Sequence, residues 1–484
     1  MATTKKNAKT AGTVKKAKGS AKTADPFIFK LVLNAWMIEQ FGVDPLTEHK
    51  DTDGRSIPPI RRLAHTIIDE DKEGLHEDGR HRFFRELNAN WPASAKVSAA
   101  ELAAYEDNIL AHTKTLNDRR QAGGERRIVW KYFQWLSLIF TERYLDLFFH
   151  QPAQLLDSLN EFLLRFNAWR TAARLPTTVE PFTVADLNRL CFQNATGSGK
   201  TFLMHANVLQ FRHYAKLSNR ENEFSRSVLI TPNESLTEQH LRELGQNGIA
   251  SQRFRADLLG SPDLGRVDVI EITKLGEVRR ENTVAVSEFG DNNLLLVDEG
   301  HRGLGSEEET GWLKRREAIA ARGFVFEYSA TFAQAVAAAG SESITQTYAK
   351  SVLFDYSYRY FYEDGFGKDY SILNLAKEGA DMRRYLTACL LAYFQQLRLY
   401  DRDTLALRPF NLEKPLWVFV GGSVSKPGGA NQDEKAAIAD VARIVLFLGE
   451  FVADPATSKK DIQLLLTQSG AANGMVDADG NDIF

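Results

Sequence analysis

Cysteine is nearly absent from this chain of 484 residues: only Cys191 and Cys389 occur, far apart. That excludes a disulfide framework and a cysteine-built zinc site, and it fits a reducing, cytoplasmic setting. Long apolar runs are also missing. The most apolar stretch, "IVLFLGEFVA" from Ile444, has about half the ~20 residues that a membrane span needs, so no membrane partner is expected. No hydrophobic segment follows the lysine-rich start, which argues against a secretory signal. Nor is there an excess of positive charge: 60 Lys and Arg against 63 Asp and Glu leave a formal net charge of -3. Any surface for nucleic acid must therefore be a local patch.

What is present reads as a soluble globular protein, 43% hydrophobic and 25% charged, long enough for about three domains. Residues 1–25 hold seven lysines and no acid before Asp25; such a segment buries too little to fold alone and reads as a disordered basic tail. Residues 26–181 are mostly helical in pattern. "RRIVWKYFQWLSLIFTERYLDLFF" from Arg126 is unusually aromatic, and a stripe of this density at helical spacing is expected to be core. From 182 to 375 the texture changes to short apolar runs, "RLCFQ", "SVLIT", "VDVIEIT", "NNLLLVDE" and "FVFEYSA", separated by helical stretches. That alternation implies an α/β fold, a doubly wound parallel sheet with helices on both faces. A helical connector is expected over 376–410. Over 411–484 the strand-like "PLWVFVGG" from Pro415, a helical stretch and "DIQLLLTQ" suggest a second sheet domain that is begun and not finished.

The chemistry starts at "NATGSGKT". Gly197 and Gly199 allow positive φ and close approach of backbone N–H groups to an anion. With Thr196 and Ser198 they form a loop that leads into a helix N-terminus. Lys200 would reach the outer phosphates of ATP and the Thr201 hydroxyl would hold Mg2+. The usual pattern wants glycine where this chain has Asn194. About a hundred residues on, "NNLLLVDEGHRG" ends an apolar run in Asp298 and Glu299, at the sheet edge where such folds bind ligands. Asp298 would hold the magnesium and Glu299 would polarise an attacking water.

In order, "ATGSGKT", "LITPNESLTEQ", "VIEITKL", "LLLVDEGHRG" and "FEYSATF" resemble the first RecA-like motor domain of superfamily-two helicases and translocases of the DEAD/DEAH type. The nearest resemblance is to the family that contains the ATPase (Res) subunit of type III restriction enzymes. Here the acidic box reads D-E-G-H, with Gly300 where relatives often carry alanine. The resemblance implies that His301 links the nucleotide site to Ser329 and Thr331, coupling hydrolysis to movement. It implies that Thr231, Pro232, Asn233 and Thr273 touch a nucleic-acid backbone, and that Gln134 reads the adenine edge with an aromatic neighbour such as Phe133 near the ring. The implied activity is ATP-dependent movement on DNA, duplex DNA above all, in a restriction or phage-defence setting.

Relatives use arginines of a second motor domain against the γ-phosphate, a contribution of roughly 10^3 to 10^5 in rate. No such motif follows "PLWVFVGGS". The chain is therefore expected to bind ATP but hydrolyse it poorly alone, unless a protein partner or a C-terminal remainder supplies the arginine. No nuclease motif stands out, Glu413-Lys414 being too little. "DADGND" misplaces its glycine for a calcium loop and lacks the closing glutamate; His76, Glu77, Asp78 and His81 read as a solvated turn. Two other readings fit the same residues, a nucleotide-gated DNA-binding subunit and an RNA helicase.

Overall fold

In the computed structural model the described residues are 26–254, 263–278, 283–304, 307–367, 374–375, 382–408, 412–419, 440–467 and 475–476. The expected basic tail, 1–25, lies outside them. The chain divides into two compact units, Met1–Gly367 and Lys368–Phe484.

The first unit opens with helices α1 (Val32–Gln40), α2 (Pro59–Ala64), α3 (Arg82–Ala89), α4 (Ala99–Ala122), α5 (Tyr132–His150) and α6 (Pro152–Ala172). The aromatic stripe is α5, and it is core: Phe133, Trp135, Leu136, Ile139, Phe140 and Tyr144 are all buried. The "HEDGRH" turn is less solvated than its composition implies. His81 is buried, with its backbone N–H and its Nδ1 both on Glu106 Oε1, at 2.7 and 2.9 Å.

The seven strands of the main sheet follow: β1 (Arg189–Asn194), β2 (Ser227–Thr231), β3 (Ser251–Arg253), β4 (Val267–Glu271), β5 (Leu294–Asp298), β6 (Phe324–Ser329) and β7 (Val352–Tyr356). They form one sheet in the order β3-β4-β2-β5-β6-β1-β7, every pair parallel. Parallel neighbours need crossovers, and helices α7 (Lys200–Leu217), α8 (Glu234–Gln246), α9 (Glu307–Ile319), α10 (Phe332–Ala339) and α11 (Glu342–Ala349) provide them. The strands read as continuous apolar runs because both faces are covered. Leu294 and Leu296 point into the core shared with α5 and α7, while Leu295 and Val297 point into the opposite core with Ile319 and Phe289. Helix α5 packs along α7 and against β7, so the N-terminal helices form part of the body that holds the sheet. After β7, α12 (Tyr358–Glu363) and the turn to Gly367 close the unit.

The second unit contains α13 (Met382–Leu407), α14 (Asp440–Ala453) and α15 (Pro455–Thr467). Arg383 Nε donates to Asp461 Oδ2 at 2.9 Å, and Ala388 meets Leu465. Two expectations change here. The run from Pro415 takes no strand form over 412–419; its rings pair with each other instead, Trp417 with Phe419 at 4.4 Å. Asp461 to Thr467 of "DIQLLLTQ" are the end of α15. A short apolar run without a paired neighbour cannot be told from a helix by pattern. Among the described residues of this unit the one strand pairing is antiparallel, Asn374–Leu375 with Met475–Val476.

Candidate active site

All the motif-bearing loops emerge at one edge of the sheet, the C-terminal ends of β1, β2, β4, β5 and β6. β1 carries the chain into the turn Ala195–Gly199, and α7 starts at Lys200. Gly197 and Gly199 have φ of 84° and 85°, the left-handed region that a side chain resists. Gly199 is also crowded, since the Gln134 amide fills the place a Cβ would take there. Asn194 belongs to β1, paired with Tyr356, so its strand backbone makes no demand for glycine there.

The loop fits a triphosphate. Ser198 Oγ and both side-chain polar atoms of Asn194 are buried with no hydrogen-bond partner among the described residues. Lys200 Nζ makes one long bond, 3.3 Å to Asn194 O, back onto its own loop. Burial pulls its ammonium below the usual value, and the carboxylates of Glu299 and Asp298 offset part of that. A partly desolvated cation facing two carboxylates is arranged to accept polyanionic phosphate with a metal between. Thr201, half-buried in the first turn of α7, and Asp298 are the residues present that would hold Mg2+.

Asp298 ends β5. Its Oδ1 accepts from the Glu299 backbone N–H at 3.0 Å, and its Oδ2 lies 2.9 Å from His240 Nε2. Burial alone raises its carboxyl, but His240, the Glu299 N–H and Lys200 outweigh that, and the net shift is downward. Glu299 takes φ of 53°, unusual for a residue with a side chain; backbone strain of this kind concentrates at functional sites. The bend lets strand direction end at Asp298 while leaving the Glu299 side chain about a third exposed. Gly300 sits over a filled space: a Cβ there would lie 2.9 Å from Glu327 Oε2 and 3.1 Å from Phe332 Cζ. Its N–H donates to Tyr328 O at 2.9 Å and its carbonyl accepts from Arg316 Nη1 at 3.1 Å.

His301 Nδ1 is 3.2 Å from Glu299 Oε2 and 2.8 Å from Ser329 Oγ. The chain Glu299–His301–Ser329 is thus continuous. Thr331 joins it through its backbone N–H, which donates to Ser329 Oγ at 3.0 Å.

Gln134 stands in the first turn of α5, where its Oε1 accepts from Lys131 N at 2.9 Å and its Nε2 donates to Ser198 O at 2.8 Å. An amide offers two N–H groups and two lone pairs, so one of each stays available. It faces a cavity of about 540 Å3 lined also by Arg126, Val129, Phe202, Phe361 and Phe366. Phe133 also lines this cavity, but it is buried and one of its faces is stacked on Tyr356 at 3.8 Å. The partly open rings are Phe202, Phe361 and Phe366. Two of these follow β7 on a segment pinned by Asp364, which accepts from Arg61, Tyr132 and Tyr356, each at 2.5 Å.

The four residues expected at nucleic acid divide by exposure. β2 and β4 are neighbours, with Thr231 opposite Glu271, so the two loops lie side by side. Asn233 and Thr273 are exposed. Asn233 caps α8 by accepting from Leu236 N at 3.0 Å, and the Thr273 hydroxyl turns to Glu271. Thr231 and Pro232 are buried, the Thr231 hydroxyl lying 2.5 Å from that of Thr237. A recess lined by Thr231, Pro232, Asp298 and Glu299 joins this loop to the carboxylates. Sequence reasoning missed His240 and the Phe361–Phe366 segment; the one sequence signal for the former is that His240 shares a helix face with Thr237, three residues before it.

Among the described residues no helix is long and apolar enough to cross a membrane. No curated protein matches this chain. A solved structure to which the chain is similar is the Sulfolobus solfataricus SWI2/SNF2 ATPase core in complex with dsDNA, with 13% identity and a TM-score of 0.25; the match covers 51% of this chain and 57% of that one. The family model described as "Type III restriction enzyme, res subunit" matches residues 154–334, a stretch that holds the phosphate loop, the acidic box and Ser329 to Thr331. Over residues 154–334 the chain is thus similar to the Res subunit of type III restriction enzymes.

Proposed function

We propose that this chain binds ATP with Mg2+ at the Lys200–Asp298 edge and hydrolyses it to drive movement on duplex DNA, in a restriction or defence setting. The observation that carries the reading is the line from Asp298 and Glu299 to His301 and Ser329, with the charge of Lys200 facing both carboxylates. A site that only stores nucleotide has no use for a carboxylate wired to a hydroxyl on the next strand. Bound Mg2+ would neutralise phosphate charge. This chain's own residues do the rest. Lys200 and the loop amides hold the outer phosphates, Glu299 orients the water that attacks, and His301 reports the occupancy of that position to Ser329.

The slot beside Gln134 suits a purine. The amide's free N–H and lone pair match a base edge that offers one acceptor and one donor, as adenine does, and Phe366 or Phe361 supplies a ring face. Exposed Asn233 and Thr273, with the backbone between β2 and α8, suit phosphate contacts that carry no base information. DNA is favoured over RNA by the restriction-enzyme relationship.

The test is steady-state ATP hydrolysis with and without duplex DNA, with Glu299→Gln as the blank. Turnover stimulated by DNA and lowered by at least ~10^2-fold in the variant is expected, since a general base contributes 10^2 to 10^4. Equal turnover in the two proteins would remove Glu299 from its role. Stimulation by RNA and not by DNA would move the proposal to an RNA motor.

A further inference from the structure

We infer that His240 is a positioning residue that orients Asp298 for magnesium, and that it ties the metal site to the helix that begins at the nucleic-acid loop. The inference rests on the reading of Asp298 as a metal-holding carboxylate. The face that α8 turns to the protein holds Thr237, His240 and Leu244, all buried, with half-buried Leu241 packed on the core beside them. An ordinary crossover helix would fill these positions with apolar side chains. Here the two fully buried positions nearest the helix start are polar. Thr237 meets Thr231 and the Asn233 carbonyl, at 2.5 and 3.1 Å, at the end of β2. One turn later His240 reaches past β2 to the end of β5 and meets Asp298 Oδ2 at 2.9 Å.

The ring has little freedom to do anything else. Its side chain is 2% exposed against 13% for Asp298. Because Asp298 accepts, Nε2 is the donor, and Nδ1 is left buried with no hydrogen-bond partner among the described residues. A buried polar atom without a partner costs stability. A residue chosen for packing alone would avoid that cost, so its retention is explained by what Nε2 does. With Oδ1 fixed by the Glu299 N–H and Oδ2 by His240, both carboxylate oxygens are oriented before any metal arrives. Groups that hydrogen-bond to metal ligands in this way set ligand direction, and their loss weakens metal affinity by roughly 10- to 100-fold. The donor comes from α8, whose first turn is capped by exposed Asn233. A shift of α8 on engagement of the 231–233 loop therefore moves the partner of Asp298 directly.

The test measures binding and rate separately in the full chain. A fluorescent ATP analogue is titrated with Mg2+, and in EDTA, for wild type, His240→Leu, His240→Gln and His240→Asn. His240→Leu is expected to raise the half-saturating Mg2+ concentration by ~10- to 100-fold while leaving binding in EDTA unchanged. His240→Gln, whose amide nitrogen can reach the position of Nε2, restores most of the loss; the shorter His240→Asn does not. In an Asp298→Asn background the His240 substitutions add nothing further. Wild-type Mg2+ dependence in His240→Leu, or a glutamine no better than leucine, overturns the inference. If His240→Leu fails to fold by circular dichroism, the comparison of glutamine with asparagine decides alone. A wild-type chain that binds the analogue without any Mg2+ dependence overturns both this inference and the metal reading beneath it.

Discussion

Gly300 is where this chain departs from the alanine of many relatives, and Gly300→Ala is a sharp test of how the acidic box is seated. Gly300 is not among the residues with positive φ, so backbone strain is not the issue. Space is. A Cβ would meet Glu327 Oε2 at 2.9 Å, Glu327 Cβ at 3.1 Å and Phe332 Cζ at 3.1 Å. Real Cβ contacts avoid the first of these distances, so something must move. Glu327 is poorly placed to yield: it is buried, accepts from Tyr348 OH at 2.8 Å, and pairs with Arg189 Nη1 at 3.4 Å. Overpacking one carbon into such a site typically costs about 1–3 kcal/mol. The backbone at 299–301 is the freer side, and its displacement carries Glu299 and His301 away from Ser329. A 1 Å misplacement can cost ~10^2-fold in rate, so a shift of a few tenths of an ångström should cost several-fold. Urea unfolding and ATPase kinetics on the same preparation give both numbers. Phe332→Leu added to Gly300→Ala should recover part of the stability, because it clears one of the two obstacles. Wild-type stability and turnover in Gly300→Ala would show that the space under the box is open and would refute the account of why glycine stands there.

Gln134→Ala should weaken ATP about tenfold and abolish preference for ATP over GTP, because one base-edge hydrogen bond to a neutral group is worth about 1 kcal/mol and the loop loses its Ser198 anchor as well; Phe366→Ala should weaken all purine nucleotides alike, and competition binding separates the two patterns. Glu142 carries a pH prediction: burial pushes its carboxyl up to about 7, despite hydrogen bonds from Asn108, Tyr214 and Gln210. The folded state then binds more protons than the unfolded state between about pH 4.5 and 7, so this group's contribution to stability falls across that window, by at most ~3 kcal/mol. Buried His112 and His205, held down to about 4 and about 3 by burial, act with the opposite sign below about pH 6.5. The difference between Glu142→Gln and wild type isolates the carboxyl; the wild-type urea midpoint should fall relative to that of the variant from pH 5 to 8, and a pH-independent difference would contradict the raised value.

The motor domain was legible because its signals are local. A parallel strand buried on both faces announces itself as an unbroken apolar run, and the loop after it as glycine and charge; both are properties of a few adjacent residues. Thus Asp298 and Glu299 could be placed at a strand end without knowing what lay beside them. Partners across the fold could not. That one face of Phe133 stacks on Tyr356, that Phe361 and Phe366 join it at the cavity, and that the Thr231 hydroxyl turns inward to Thr237 all depend on contacts between segments distant in sequence or on side-chain direction. The same limit explains the apolar run at 412–419, since strand form requires a neighbour that pattern cannot supply.

His240 shows where that limit matters for function. From sequence it is one polar residue on an amphipathic helix, just past "LITPNESLTEQ" and three residues before Glu243, and nothing local points to Asp298. Only the order of strands, with β2 set beside β5, brings a helix that follows one strand over the carboxylate that ends the next. Parallel α/β sheets offer this arrangement at every adjacent pair, because each crossover helix starts at the same edge where its neighbour's strand delivers a ligand-binding residue. The residues that couple one loop to another in such a domain should therefore be sought on the inward faces of the crossover helices, within about two turns of their N-termini.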